Sequence, residues 1–98
     1  KFEIVNVMNF PNPFNNQTKF TFEISNEAEV QIDIYTLEGK KIKILNPIFC
    51  QVGFNKINWD GKDEFGNILA NGVYLYKINA INPEGEKINK VGRLAIFK

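Results

Sequence analysis

The chain's 98 residues carry a formal net charge of +1, no histidine and a single cysteine. That length suits one domain, burying roughly 65% of its unfolded surface around a single core. The composition leaves no histidine-based general base or triad, no internal disulfide and no sign of the clustered basic face of a nucleic-acid binder.

Lys1 stands where an initiator Met would, so the chain is expected to be a piece of a longer protein. No apolar run is long enough for a membrane-spanning helix, and these residues show no signal peptide, the targeting signals of a parent's N-terminus lying outside them. In chain order, alternation of apolar and polar residues marks strands with one buried face. The first is expected over 2–9. The stretch NFPNPF follows at 9–14. Pro11 and Pro13 fix φ, remove two N–H donors and push Phe10 and Asn12 towards extended backbone. The stretch reads as a stiff crossover between sheets, with Phe10 and Phe14 plugging the end of the core. A polyproline-type ligand for another protein is the sharper alternative.

In KFTFEIS, Phe20, Phe22 and Ile24 oppose Lys19, Thr21, Glu23 and Ser25, giving a strand over 17–26. In EVQIDIY, Val30, Ile32 and Ile34 oppose Gln31, Asp33 and Tyr35, giving a strand over 28–37. In KIKIL, Ile42 and Ile44 alternate with Lys41 and Lys43, giving a strand over 40–45. Those lysines are expected to face solvent and block edge pairing, with contact to anionic sugar or lipid as the alternative. NPIFCQVG then makes a long connection, on which Cys50 is expected as a half-buried loop thiol. The strand over 54–59 ends on Trp59, a core candidate.

Asp60-Gly61 marks a turn; Asp63 can cap loop N–H groups and Gly66 can adopt positive φ. The trio Asp60, Asp63 and Glu64 invites calcium, but Lys62 interrupts the ligand spacing and no closing Glu follows. No metal site is expected. VYLYKI, within a strand over 73–82, is apolar on both faces and suits a central position. Tyr74 and Tyr76 lie on one of those faces, and their hydroxyls need partners or water. Pro83-Glu84-Gly85 reads as the hairpin tip before a last strand over 86–97. Seven short strands at this spacing predict an all-β sandwich or barrel.

Four pieces in order carry a resemblance: PNPFNNQTKFTFEI, VQIDIYTLEGKKIKIL, INWDGKDEFGNILANGVYLYKI and KVGRLAIFK. Together, from Asn9 to Lys98, they resemble the C-terminal sorting domain of type IX secretion cargo in Bacteroidetes-like bacteria. The flagellar hook-capping protein FlgD carries a similar Ig-like module. The resemblance implies an Ig-like β-sandwich of about seven antiparallel strands, with residues 1–98 as one C-terminal sorting domain. It implies a non-catalytic role, with neither cofactor nor metal. Such domains fold in the periplasm and are recognised by the outer-membrane translocon and its shuttle and attachment proteins. In most cargo a sortase peptidase removes the domain at the cell surface and attaches the protein to anionic lipopolysaccharide. The long fourth connection and full last hairpin look similar to the domain that the gingipain-like sortase itself retains as an anchor.

The family's PNP motif falls on Pro11, Asn12 and Pro13, and its Trp-Asp-Gly stretch on Trp59, Asp60 and Gly61. Its Gly-x-Tyr motif falls on Gly72 and Tyr74. Its terminal basic-apolar element falls on Lys90, Val91, Arg93, Leu94, Ile96 and Phe97, the candidate recognition residues. Recognition is expected on an accessible strand edge, where another chain can add. A structural Ig-like spacer is the second reading. A carbohydrate-binding face using exposed Tyr35, Tyr74 or Tyr76 is the third.

Overall fold

In the computed structural model, which describes all of residues 1–98, the alternating runs become seven strands. They are β1 (Ile4–Phe10), β2 (Thr18–Ile24), β3 (Ala28–Thr36), β4 (Lys41–Cys50), β5 (Gly53–Trp59), β6 (Gly72–Ile81) and β7 (Lys87–Ile96). Two sheets form, ordered β1-β2-β5 and β4-β3-β6-β7. Every neighbouring pair is antiparallel. The chain is an Ig-like β-sandwich. No helix of the chain is long and apolar enough to cross a membrane.

The core follows the period-2 pattern. Phe20, Phe22 and Ile24 point inward from β2, and Val30, Ile32 and Ile34 face them from β3. Each such side chain contributes about 1.5–3 kcal/mol through burial. β6 lies between β3 and β7, as its two apolar faces predict, and sends Tyr74, Tyr76, Ile78 and Ala80 inward. The rings form a column. Trp59 stacks on Phe20 at 6.2 Å and meets Phe14 edge-on at 5.7 Å; Phe20 tilts on Tyr76 at 4.8 Å.

Three expectations are corrected. Phe14 is buried, but Phe10 is 71% exposed and plugs nothing. Val5 pairs with Glu23 and Met8 with Thr21, so β1 carries one extra residue there. That bulge, with Asn6 at φ 55°, reverses the inward parity. Asn9 turns in and Phe10 turns out, opposite Lys19.

The second correction concerns β4, which runs on through Pro47 to Cys50 instead of stopping at 45. Pro47 is tolerated because β4 is an edge strand. Cys50 is therefore a buried strand residue, 4% exposed, and burial pushes its thiol up. Third, β4 does not alternate over 41–44. Register shifts along β3–β4 place Lys43 opposite the inward Ile34 and Ile44 opposite the outward Asp33. Ile42 and Leu45 pack on the core instead.

Candidate functional site

The terminal element forms β7, at the edge of the four-stranded sheet. Its even positions face the core, so Leu94 and Ile96 are buried at 1% and 2% exposure. Lys90, Val91, Arg93 and Phe97 are exposed. The six candidate residues thus divide between core residues and surface residues. Only the surface ones can be touched by another molecule while the domain stays folded.

The PNP corner is built against this strand. Phe14 bridges Ile96 in parallel; its N–H donates to Ala95 O at 3.0 Å, and its C=O accepts from Phe97 N at 2.9 Å. Asn12 takes the place of a strand residue just before it. Its Nδ2 donates to Arg93 O at 3.3 Å, and its Oδ1 accepts from Ala95 N at 3.0 Å. Both peptide bonds preceding Pro11 and Pro13 are cis. A chain of buried polar groups fixes the Asn12 amide. Asn12 Nδ2 also donates to Asn9 Oδ1 at 3.1 Å, Asn9 Nδ2 to Thr18 Oγ1 at 3.3 Å, and Thr18 Oγ1 to Pro11 O at 2.9 Å. Asn9 and Thr18 are 6% and 1% exposed, and a buried polar group must be bonded. The corner is thus a clasp on the C-terminal half of β7.

The Trp-Asp-Gly stretch supports the same end of the sandwich. Trp59 is 2% exposed, and its Nε1–H donates to Lys62 O at 3.1 Å. Asp60 accepts from Lys62 N at 3.1 Å. Gly61, at φ 74°, lies beneath the clasp: a Cβ there would sit 3.2 Å from the Phe14 ring and 3.3 Å from Asn16 O. Asp63 accepts from the N–H groups of Asn67 and Phe65, both at 2.9 Å, as expected of a loop cap. Those bonds, Asn67 foremost, hold its carboxyl below the usual range. Glu64 clasps the opposite edge strand, since its N–H donates to Ile42 O at 3.1 Å and its Oε1 accepts from Ile44 N at 2.9 Å. The loop carboxylates are thus committed to backbone groups, and no cluster of possible metal ligands forms.

Gly72 opens β6 opposite Ile96. The Tyr74 hydroxyl donates to Ala70 O at 2.7 Å. Burial pushes both Tyr74 and Tyr76 up. Tyr76 lies across Gly92 of β7, where a Cβ would overlap its Cζ and Oη. This cross-strand pairing of a ring with a glycine makes Gly92 a required residue of the last strand. The aromatic platform needed for carbohydrate does not form. Tyr74 and Tyr76 are buried, while Tyr35 is half-buried and lies under Lys41 at 5.7 Å.

The motif reading missed Asn9, Thr18, Glu64 and Gly92 as working parts. A polar residue at an inward position, as at Asn9, becomes visible only once the bulge is known.

The FlgD Ig-like domain family matches residues 8–84. Latent PorU from Porphyromonas gingivalis, crystallised as a dimer, is 24% identical with a TM-score of 0.79. That alignment covers 96% of this chain and 9% of PorU. A truncated FlgD from Helicobacter pylori is 22% identical at TM-score 0.64, covering 93% of this chain and 68% of that one. PorZ from P. gingivalis, an essential surface component of the type IX secretion system, is 19% identical at TM-score 0.57. There the coverage is 95% of this chain and 12% of PorZ. The chain therefore spans only a small part of the length of PorU and of PorZ. No curated protein matches. At these identities the solved structures establish the shared fold.

Proposed function

The chain belongs to the FlgD Ig-like domain family, and from that premise we propose that it is a non-catalytic C-terminal signal domain. It directs a longer parent protein through the periplasm and the type IX translocon to the cell surface. There it is retained as an anchor or removed by a sortase. Its partners are the translocon and its shuttle and attachment proteins. The observation that carries this reading is the match, over 96% of this chain, to 9% of PorU at TM-score 0.79. The chain corresponds to a small module of a large protein, in the same organism whose PorZ also shares the fold. The ordered motifs from Pro11 to Phe97 support it independently. A non-catalytic role fits a chain without histidine whose one thiol is buried and pushed up.

The test of necessity is removal of residues 1–98 from the parent in a bacterium with a working type IX system. The parent is expected to stay in the periplasm. A parent that reaches the surface without the domain overturns the proposal. Deleting Arg93 to Lys98 alone is a poorer test, because it also removes Leu94 and Ile96 from the core.

A structural Ig-like spacer is the second reading, favoured by the match to 68% of the truncated FlgD chain. It predicts that the domain lies inside its parent, and that removal leaves export intact.

A further inference from the structure

The clasp covers only half of the β7 edge. Along a regular strand, the N–H and C=O of alternate residues face the same side. Arg93, Ala95 and Phe97 turn theirs away from β6, towards Asn12 and Phe14. By the same parity Lys87, Asn89 and Val91 present theirs outward, and no part of the chain takes them. Register with β6 is unbroken from Lys87 to Ile96, so this length is unbulged, and a cleft separates Ile88–Lys90 from residues 1–5.

Two of the other three edges are blunted. β1 carries its bulge and the positive φ of Asn6. β4 carries register shifts, Pro47 and the Glu64 clasp. β5 is regular in its pairing with β2 and has one carbonyl, Gly53 O, taken by the Asn55 amide at 3.2 Å, but it carries a single cation, Lys56. An open, regular edge is a template for another strand.

The charges choose the occupant. Lys87 and Arg93 flank the open length on the outer face, and Lys90 on the core-facing side. None of them is in an ion pair; the molecule's two pairs are Lys41–Asp33 and Lys43–Glu64. Val91, 60% exposed, offers an apolar seat between them. A second copy pairing through β7 would bring these cations against their own kind, which costs free energy. An acidic strand meets the opposite sign.

We infer that the Lys87–Arg93 edge of β7 takes an extended, acidic segment of a partner protein as an added strand. The inference rests on the edge itself, and holds whether the domain is an export signal or a spacer.

The probe is a capped peptide alternating glutamate and valine, added to the isotope-labelled 98-residue chain. Amide exchange at Lys87, Asn89 and Val91 is expected to slow by about tenfold or more at saturation. The same peptide N-methylated at alternate amides keeps its charge but cannot pair as a strand. It is expected to lose that protection. A lysine–valine peptide is expected not to bind. Lys90→Glu with Arg93→Glu, in a chain shown folded by its unfolding transition, is expected to exchange the two preferences. Equal protection by the N-methylated peptide, or protection mapping away from β7, overturns the inference. So does tighter binding of the lysine–valine peptide to the unsubstituted chain, a result that stands even if the variant fails to fold.

Discussion

Gly92→Ala adds one methyl group to the exposed edge strand, yet the structure predicts a clear loss of stability. The backbone at Gly92 is not in the left-handed region, so alanine meets no strain in φ. On that ground alone the change would stabilise by about 0.4–1 kcal/mol, by narrowing the unfolded ensemble. Against this, the new Cβ would overlap Cζ and Oη of Tyr76 and approach Cε2 to 2.8 Å. The ring cannot retreat. Tyr76 is 2% exposed, and Phe20 lies 4.8 Å away, centroid to centroid. Overpacking costs about 1–3 kcal/mol; overlap with two atoms of a buried ring belongs to the upper half of that range, so after an entropic gain of about 1 kcal/mol the net loss is about 1–2 kcal/mol. For a chain of this length that lowers Tm by roughly 5–15 °C. Urea denaturation followed by tryptophan fluorescence measures it, since Trp59 is the only tryptophan and is buried. Repeating the substitution in a Tyr76→Leu background should abolish the loss, because the opposing ring is gone. A neutral or stabilising Gly92→Ala in the unsubstituted chain refutes the packing argument.

Other perturbations test other parts of the same end. Trp59→Ala removes the ring between Phe14 and Phe20 and should cost about 3–5 kcal/mol in chemical denaturation; a loss below about 1 kcal/mol contradicts its core role. Asn12→Ala removes two bonds to β7 and one to Asn9. Water can replace the exposed pair, so a loss of about 1–2 kcal/mol is expected, with faster amide exchange at Ala95. Unchanged exchange there would mean that the clasp does not form in solution. Asp63→Asn probes the loop cap. The carboxyl is held below its usual value, so its contribution is present above the unfolded pKa of about 3.9 and is lost as pH falls through the folded value. The stability gap between parent and variant should therefore close in acid below about pH 4. A gap that does not narrow as the pH is lowered from about 4 contradicts the assignment.

The strands were legible because one face of each is buried, and a one-residue slip would expose every apolar group. Phe20, Phe22, Ile32 and Ile34 declare themselves by alternation alone. Phe10 does not, because the bulge that turns it outward is set by pairing with β2, and the alternation in VNVM does not announce the extra residue. The continuation of β4 through NPIFC was hidden by a proline that only an edge position permits. At the candidate site, Asn12 stood out as part of a motif, but its partner Arg93 is 81 residues away. Such a side-chain clasp has no local signature. Gly92 is likewise explained only by the ring that its neighbouring strand lays across it.

A domain with the proposed role should suffice as an export signal. The direct measurement fuses residues 1–98 to the C-terminus of a periplasmic fluorescent reporter. Intact cells with a working type IX system are assayed for protease-accessible reporter, beside a translocon-deficient strain. Surface reporter is expected in the competent strain only, with the product's size showing whether the domain is retained. Reporter held in the periplasm of both strains, with the domain shown folded, would contradict that role and favour the spacer.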